Sequence, residues 1–341
     1  MPHARYIVTG AAGFIGSRLL EALAARHPPA ELLAVDHPMP PAKGRNLTVA
    51  PGVPFRDHRA FLQALETGEL DPEIIFHMGA CSSTTETNWS YLAENNLGYS
   101  QRLWIWCAQR GRRLIYASSA ATYGDGALGF DDELDINRLQ PLNPYGKSKH
   151  EFDLWIERQI AAGQPQPPQC AGLKFFNVFG PGEGHKGRMA SMVFHGWNQI
   201  QVQGFVQLFK SHKEGYADGG QLRDFIYVRD IVEVMLALAE RPDVSGLFNL
   251  GTGRAHSFRE LIEALFTALG REPRIEYIPM PDDLQGKYQY FTEATMRKLV
   301  RTRVPYTPTP LGAAVTDYAM WLNSDQMSGD RPIALHDQTK S

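Results

Sequence analysis

Short apolar runs alternate with longer amphipathic stretches through the first half of the chain. In the longer stretches, the apolar positions recur every three or four residues, which is the period of a helix with one buried face. The short runs predict strands at residues 5–9, 31–36, 55–57, 73–78, 113–118 and 171–176. Strands and helices in this alternation predict an α/β fold built on a doubly wound parallel Rossmann sheet.

Beyond residue 176 the pattern is less regular. It predicts helices at residues 189–203, 230–241, 257–269 and 310–322, and strands at 223–228, 246–250 and 274–278. We assign residues 1–176, together with 222–252, to the Rossmann domain, and residues 177–221 and 253–322 to a smaller C-terminal α/β lobe that covers the substrate. Residues 323–341 are polar and have no apolar period, so we expect a loose tail there.

A glycine-rich loop follows the first predicted strand directly. Gly10, Gly13 and Gly16 are spaced G-x-x-G-x-x-G, and a helical apolar pattern begins at Phe14. Glycines in this position let the backbone turn tightly and approach a pyrophosphate, which the helix N-terminus then holds. The arrangement predicts a dinucleotide site, although a strand-to-helix turn without a ligand would have a similar pattern.

The second predicted strand ends in an acid, Asp36. It lies about 20 residues beyond the glycine loop, where a carboxylate commonly meets the adenosine ribose 2′-hydroxyl of NAD. Lys43 and Arg45 follow closely and could neutralise the 2′-phosphate of NADP instead. The choice between NAD and NADP therefore stays open at this point.

Tyr145 and Lys149 are four residues apart after Pro144, which is typical of the first turn of a helix. Both side chains would lie on one helix face. An ammonium beside a phenol favours the phenolate, so we expect Lys149 to lower the pKa of Tyr145 and allow proton exchange near neutral pH. The same spacing is common on surface helices, but Ser119, at the end of the strand 113–118, would lie close by.

The bulk composition excludes several classes of function. The chain has 341 residues, is 43% hydrophobic and carries a net charge of −3, so nothing indicates a nucleic-acid partner. No apolar run approaches the ~20 residues that span a bilayer, and the N-terminus does not resemble a signal peptide. Cys81, Cys107 and Cys170 are scattered without metal-site spacing. We expect a cytoplasmic protein without a membrane partner or a bound metal.

Taken together, the glycine loop, Ser119, the Tyr145/Lys149 pair and the run at 223–228 resemble the extended short-chain dehydrogenases/reductases. More narrowly, the chain resembles the ADP-L-glycero-D-manno-heptose 6-epimerases, which serve lipopolysaccharide core assembly, over residues 5–322. Four stretches carry this resemblance, at residues 77–86, 116–124, 176–191 and 248–254.

The resemblance implies inversion at C6″ of ADP-D-glycero-β-D-manno-heptose. A bound NADP would remove a hydride, leave a transient ketone and return the hydride to the opposite face. The resemblance implies Tyr145 as one catalytic acid/base, with Lys149 lowering its pKa and Ser119 bonding the reacting oxygen, and Lys186 as the second base. Judged on composition alone, Lys186 would be a surface lysine, so we expect it to be buried near the reacting carbon.

The resemblance also implies the binding residues and a homo-oligomer, to which the aromatic helix around residues 91–106 could contribute. For the cofactor, these residues are Gly10, Gly13, Phe14, Ile15, Gly16, Asp36, His37, Lys43, Met78, Gly79, Ala80, Cys81, Ser82, Asn95, Lys149, Val178 and Lys186. For the substrate, they are Asn177, Arg188, His195, Phe209, Lys210, Ser211, His212, Arg223 and Tyr288. Arg223 is the best placed by its chemistry, since a guanidinium suits a diphosphate.

The chain departs from the family pattern at three positions. It has His37 where we expect asparagine, His58 where we expect a lysine, and Arg188 where we expect a small residue. Two other functions are compatible with the motifs. One is an epimerase or dehydratase for a different nucleotide sugar, and the other is a nucleotide-sensing module without turnover. Retention of Ser119, Tyr145 and Lys149 together favours an enzyme.

Overall fold

The computed structural model describes residues 4–38, 41–281 and 289–327, and a parallel sheet of seven strands forms its centre. The strands are β1 (Tyr6–Thr9), β2 (Leu32–Asp36), β3 (Phe55–Asp57), β4 (Ile74–His77), β5 (Arg113–Ser119), β6 (Cys170–Phe175), β7 (Asn177–Phe179), β8 (Val206–Phe209), β9 (Leu222–Arg223), β10 (Phe225–Tyr227), β11 (Gly246–Leu250), β12 (His256–Ser257) and β13 (Ile275–Ile278). The order in the central sheet is β11-β6-β5-β4-β1-β2-β3. The chain winds outward from β1 first in one direction and then in the other, which confirms the predicted doubly wound sheet.

The longer helices are α1 (Phe14–Ala24), α2 (His58–Glu66), α3 (Tyr99–Arg110), α4 (Pro144–Ala161), α5 (Met192–Gln203), α6 (Val228–Ala239), α7 (Phe258–Ala268) and α8 (Leu311–Met327). Shorter α-helical turns occupy Pro41–Gly44, Trp89–Leu92 and Arg297–Arg301. A π-helical segment, Ala93–Gly98, joins Trp89–Leu92 to α3. Turns of 3-10 helix lie at Pro29–Glu31, Arg45–Val49, Ala120–Tyr123, Ile136–Arg138 and Gly184–Met189.

Successive side chains of the central strands point into two different cores. Val8 packs into the core that α1 and α6 cover, whereas Ile7 packs into the core that α2, α3 and α4 cover. Both faces of a strand such as β1 are therefore buried, which explains why its sequence is continuously apolar rather than alternating. Helices on both faces hold the carboxyl ends of the strands in a fixed row.

The C-terminal lobe has a core of its own. Helices α5, α7 and α8 pack together, with Trp197, Leu261 and Tyr318 among the buried side chains. The strands β8 and β13 pair in parallel beside these helices, while β7 pairs with β10 and β9 pairs with β12. The lobe packs against the Rossmann domain, because Phe14 of α1 belongs to the apolar core of the lobe.

Two elements differ from the sequence-based expectation. The single strand predicted at 223–228 is split into β9 and β10, because buried Asp224 between them accepts hydrogen bonds from the backbone amides of Thr252, Gly253 and Ala294. The last helix continues to Met327 instead of ending at residue 322, and the indole of Trp197 donates a 3.0 Å hydrogen bond to Asn323. Residues 323–327 were predicted to belong to the tail, but they are helical. Residues 328–341 lie outside the described residues.

The strands β7 and β8 carry no clear apolar alternation, and the sequence reading did not include them. Within the described ranges, none of the helices combines the length and the apolar character that crossing a membrane requires.

Candidate active site

A cavity of about 500 Å³ opens at the carboxyl ends of the central strands. The glycine loop, the ends of β2 and β4, the end of β5, the start of α4 and the segment around Lys186 form its wall. The predicted residues that line it are Gly10, Gly13, Phe14, Ile15, Gly16, Asp36, His37, Lys43, Met78, Gly79, Ala80, Ser82, Asn95, Ser119, Tyr145, Lys149, Asn177, Val178 and Lys186. The residues predicted for dinucleotide binding and those predicted for proton transfer therefore line the same cavity.

The glycine loop is folded so tightly that side chains would not fit. A Cβ atom on Gly10, whose φ is +67°, would lie 2.7 Å from the Cα atom of Gly79, and one on Gly16 would lie 2.2 Å from the Gly10 carbonyl oxygen. Gly13 precedes α1 without a side-chain cap. The first backbone N–H groups of α1 thus face the cavity side of the loop without a capping group, which suits a pyrophosphate.

Asp36, at the end of β2, lines the cavity and fixes the neighbouring segments through its carboxylate. Its carboxylate accepts hydrogen bonds from the amide of Ala12 (3.0 Å) and the amide of His37 (2.8 Å), and it pairs with the ammonium of Lys43 at 2.7 Å. The rings of His37 and His58 lie beside it, with 3.7 Å between their centroids. Burial lowers the pKa of His37, and His58 lowers it further. An acid, a lysine and two imidazoles therefore surround the place where an adenosine ribose is expected.

Helix α4 presents Tyr145 and Lys149 to the cavity, as their spacing predicts. Asn143 caps the helix, because its side chain accepts a 2.8 Å hydrogen bond from the amide of Gly146. A Cβ atom on Gly146 would lie 2.8 Å from the carbonyl oxygen of Ala121, so α4 packs directly against the turn after β5. This close packing brings the Tyr145 phenol within hydrogen-bonding reach of the Ser119 hydroxyl.

The charge states of this pair differ from the expectation. Burial raises the pKa of the Tyr145 phenol, and the hydrogen bond from Ser119 opposes that rise. Burial lowers the pKa of Lys149 to about 8, and its ammonium donates a 3.0 Å hydrogen bond to the carbonyl oxygen of Ala117. The expectation that Lys149 lowers the pKa of Tyr145 is therefore wrong for this structure, because burial dominates at both residues and Ser119 is the group that favours the phenolate.

Lys186 lies on the 3-10 turn Gly184–Met189 and lines the cavity with Tyr145. Its ammonium lies 5.2 Å from the ring centroid of Phe14. Burial lowers the pKa of Lys186, and the nearby carboxylate of Glu183 opposes that change. The glycine-rich composition around Lys186 does not leave this lysine in bulk water.

Residues 6–251 match the NAD dependent epimerase/dehydratase family. The chain belongs to this family. An ADP-L-glycero-D-manno-heptose-6-epimerase from Nitratidesulfovibrio vulgaris (strain DP4) is 48% identical over 316 residues, which is 92% of this chain and 96% of that protein. One from Fusobacterium nucleatum is 44% identical over 324 residues, with the same shares covered.

A solved structure of the Helicobacter pylori ADP-L-glycero-D-manno-heptose-6-epimerase has a TM-score of 0.75 and 27% identity, and covers 95% of this chain and 98% of that chain. A Thermus thermophilus UDP-glucose 4-epimerase in complex with NAD has a TM-score of 0.71 and 26% identity, with 96% of this chain and 100% of that chain covered. These likenesses confirm the resemblance and the fold class that the sequence motifs indicated.

Most residues predicted for cofactor binding line the cavity, but most of those predicted for substrate binding do not. Asn177 lines the cavity, and the guanidinium of buried Arg223 lies 5.7 Å from the ring centroid of Phe258, which also lines it. Phe209, Lys210, Ser211, His212, Arg188 and His195 are not part of the cavity wall, and neither is Cys81 of the cofactor set. Tyr288 lies outside the described residues.

Two polar residues, the fully buried Asn96 and the half-buried Asn46, link the segments of the site, and the sequence analysis did not assign them. Asn96, in the π-helical segment, accepts from the amide of Cys81 (2.8 Å) and donates to the Cys81 carbonyl (3.0 Å) and to the Ser148 hydroxyl (2.9 Å). It thereby links the loop after β4 to α4. Asn46 donates to the carbonyls of Ala12 and Gly182, which links the glycine loop to the Lys186 segment. Hydrogen-bond partners far apart in the chain leave no local signal.

Proposed function

We propose that the protein is an isomerase that converts ADP-D-glycero-β-D-manno-heptose to ADP-L-glycero-β-D-manno-heptose with a bound NADP. The observation that carries the proposal is the presence of two acid/base groups on separate elements of one cavity wall, Tyr145 on α4 and Lys186 on the 3-10 turn. Inversion of a carbon needs a proton-transferring group for each epimer, and one group on one element would serve only one of them. The names of the relatives at 44–48% identity supply the substrate.

The cofactor site suits a nicotinamide dinucleotide. The uncapped N-terminus of α1 would hold the pyrophosphate, Asp36 and Lys43 would hold the adenosine ribose, and Lys149 would hold the nicotinamide ribose. When bound, the cofactor supplies reversible hydride acceptance. Lys43 supports NADP over NAD, since its ammonium balances the Asp36 carboxylate where a 2′-phosphate would lie.

The protein residues move the protons. In one epimer, the Tyr145 phenol exchanges a proton with the C6″ oxygen while the Ser119 hydroxyl bonds that oxygen. In the other epimer, the Lys186 amine performs the same exchange from its own part of the wall, and burial, which lowers the pKa of Lys186, favours the neutral amine that acts as a base. Phe14 and Val178 close the cavity on the apolar side and limit the access of water to the reacting centre.

The two parts of the chain would have separate roles, and the enzyme would work in the cytoplasm. Residues 1–176 with 222–252 would bind the cofactor, and residues 177–221 and 253–322 would bind the sugar, in line with the separate core of the C-terminal lobe. Cys81, Cys107 and Cys170 are free thiols, which suits a reducing cytoplasm.

Conversion of the two ADP-heptose epimers, followed by separation of the products, tests the function. We expect inversion at C6″ with ADP-heptose, and NADP among the nucleotides released on denaturation. Tyr145→Phe should lower kcat by about 10²–10⁴-fold, the usual contribution of a proton-transferring group. Tyr277→Phe is the matched control, because Tyr277 lies in β13 away from the cavity. Turnover of UDP-sugars without inversion of ADP-heptose would instead support the second candidate, a different nucleotide-sugar epimerase.

A further inference from the structure

Glu183 is a fully buried acid at the start of the segment that carries Lys186, and the proposed chemistry does not use it. Burial raises the pKa of the Glu183 carboxyl, while Lys186 and three hydrogen bonds favour its ionised form. Burying a carboxylate is costly, and the cost is tolerated only where the charge has a partner and its oxygens accept hydrogen bonds. The position therefore calls for a role that an apolar residue would not fill.

The hydrogen bonds of Glu183 close a ring in the backbone. One carboxylate oxygen accepts from the amide of Gly180 (3.2 Å) and the hydroxyl of Ser191 (2.7 Å), and the other accepts from the amide of Ser191 (2.6 Å). Ser191 also caps α5, since its hydroxyl accepts from the amide of Phe194. The two ends of the segment 180–191 are thereby joined through one side chain and fixed to the start of a rigid helix.

Lys186 lies inside this ring. Its amide donates a 2.9 Å hydrogen bond to the Glu183 carbonyl, which forms the first turn of the 3-10 segment. Gly187, with φ +54°, then reverses the chain direction, so that the Lys186 side chain can point to the cavity while the backbone returns to Ser191. The position of the Lys186 ammonium thus depends on the closure of the ring.

We propose that Glu183 is a positioning residue for Lys186, because its buried carboxylate closes the segment 180–191 that carries this lysine. This inference rests on the proposed role of Lys186 as the second base. Two other titratable groups, His185 and Arg188, lie within the segment. Those around it are Arg18 on α1, next to Gly182, His195 on α5, and Asp36 and Lys43, which act on His185. Among the described residues, Glu183 is the charged group that acts on the pKa of Lys186.

The titration of Lys186 itself tests the inference without any substrate. Trace labelling with acetic anhydride at a series of pH values, read by peptide mass spectrometry, measures the neutral fraction of each amine. In the parent protein, Lys186 should titrate below the ordinary range of a lysine side chain, because burial lowers its pKa. In Glu183→Gln, it should titrate at still lower pH, because the charge that favours its ammonium is gone while the volume of the side chain is kept. The acid limb of the kcat profile should move in the same direction, and the plateau should fall about tenfold or more because the ring is weakened.

Ser191→Ala is the matched control. It removes one hydrogen bond of the ring but leaves the carboxylate charged and bonded to two backbone amides, so Lys186 should titrate as in the parent protein. An unchanged titration in Glu183→Gln would overturn the inference, and so would a move to higher pH, which would mean that the carboxylate only keeps water away from Lys186. If Glu183→Gln does not fold, Glu183→Asp takes its place, because its shorter side chain cannot reach both ends of the segment 180–191. A Glu183→Asp protein with the kcat and the Lys186 titration of the parent would then overturn the inference. Absence of epimerase activity together with the expected labelling would contradict the proposed function alone.

Discussion

At the scale of single residues, burial of Lys149 makes the stability of the fold depend on pH in a fixed direction. Its pKa falls from 10.5 to about 8. Between these values the unfolded chain binds more protons than the folded chain, so the free energy of unfolding should rise with pH across this window. Lys149→Met should remove this rise, which amounts to about 3 kcal/mol over the whole window.

Urea unfolding of the parent and Lys149→Met proteins at several pH values from 7 to 10 measures the effect. Lys147→Met is the control, because Lys147 is exposed on the same helix and its removal should leave the pH dependence unchanged. Parallel stability curves for the parent and Lys149→Met proteins would contradict the burial of an uncharged amine at this position.

His37 predicts a second pH effect, on cofactor affinity. Burial and the neighbouring His58 lower the pKa of His37, while Asp36 and Asp57 act in the opposite direction and Lys43 lowers it. His37 should therefore gain its charge at lower pH than an ordinary imidazole does. Because a 2′-phosphate attracts that charge, the affinity for NADP relative to NAD should increase at lower pH.

Calorimetric dissociation constants for both nucleotides between pH 5.5 and 8 would test this. NAD is the internal control, since it has the same rings and pyrophosphate but lacks the 2′-phosphate. The 2′-phosphate also titrates at about pH 6, so the parent and His37→Asn proteins are compared with each other, and His37→Asn should show the smaller gain in relative NADP affinity at low pH. The same pH dependence of the ratio in both proteins would exclude His37 from phosphate binding.

At the scale of secondary-structure elements, a buried ion pair joins α4 to β6. The ammonium of Lys174 donates to Asp153 (2.9 Å) and to Thr122 (2.6 Å), and both members of the pair are fully buried. Asp153 also accepts from the hydroxyl groups of Ser118 and Tyr116. This network lies one turn beyond Lys149 and fixes the distance between α4 and the ends of β5 and β6.

Breaking one half of this pair should destabilise the protein strongly. Asp153→Asn leaves the ammonium of Lys174 buried without its counter-charge, for which we expect a loss of about 3–5 kcal/mol in the free energy of unfolding. The double variant Asp153→Leu/Lys174→Met should recover most of that loss, because it leaves no buried charge. Chemical denaturation of the three proteins provides the comparison, and a loss below about 1 kcal/mol in Asp153→Asn would show that water reaches Lys174.

Elements that follow one local period were predictable, and elements held by distant side chains were not. The spacing of apolar residues placed α1 and β11, and the spacing of Tyr145 and Lys149 placed both on one face of α4. The split between β9 and β10 depends on Asp224, whose partners are 28 to 70 residues away. The π-helical turn that buries Asn96 continues directly into the α-helix on either side, so a helical period does not mark it. The ring formed by Glu183 has partners close in sequence, but a glycine-rich segment has no period that indicates a closed loop.

At the scale of the whole molecule, large apolar side chains remain exposed on the helices that cover one side of the central sheet. Trp89, Tyr91 and Ile105 are about 40% exposed on the helix that runs from Trp89 to Arg110, and Ile160 is 49% exposed on neighbouring α4. The two helices contact each other through Trp104 and Trp155. Exposed apolar side chains of this size on packed helices are typical of a surface that associates with another protein, which supports the homo-oligomer that the resemblance implies.

The oligomer should therefore depend on this helical face and not on exposed apolar residues elsewhere. We expect the parent protein to be a homo-oligomer by light scattering at micromolar concentration, and Ile105→Glu to shift it toward the monomer, because a charge at the core of an apolar interface is left without a partner. Met320→Glu is the matched control, since Met320 is 65% exposed on α8 of the C-terminal lobe. Both variants should keep the parent unfolding temperature when measured as monomers. A monomeric parent protein, or equal dissociation by the two variants, would show that subunits do not meet through α3 and α4.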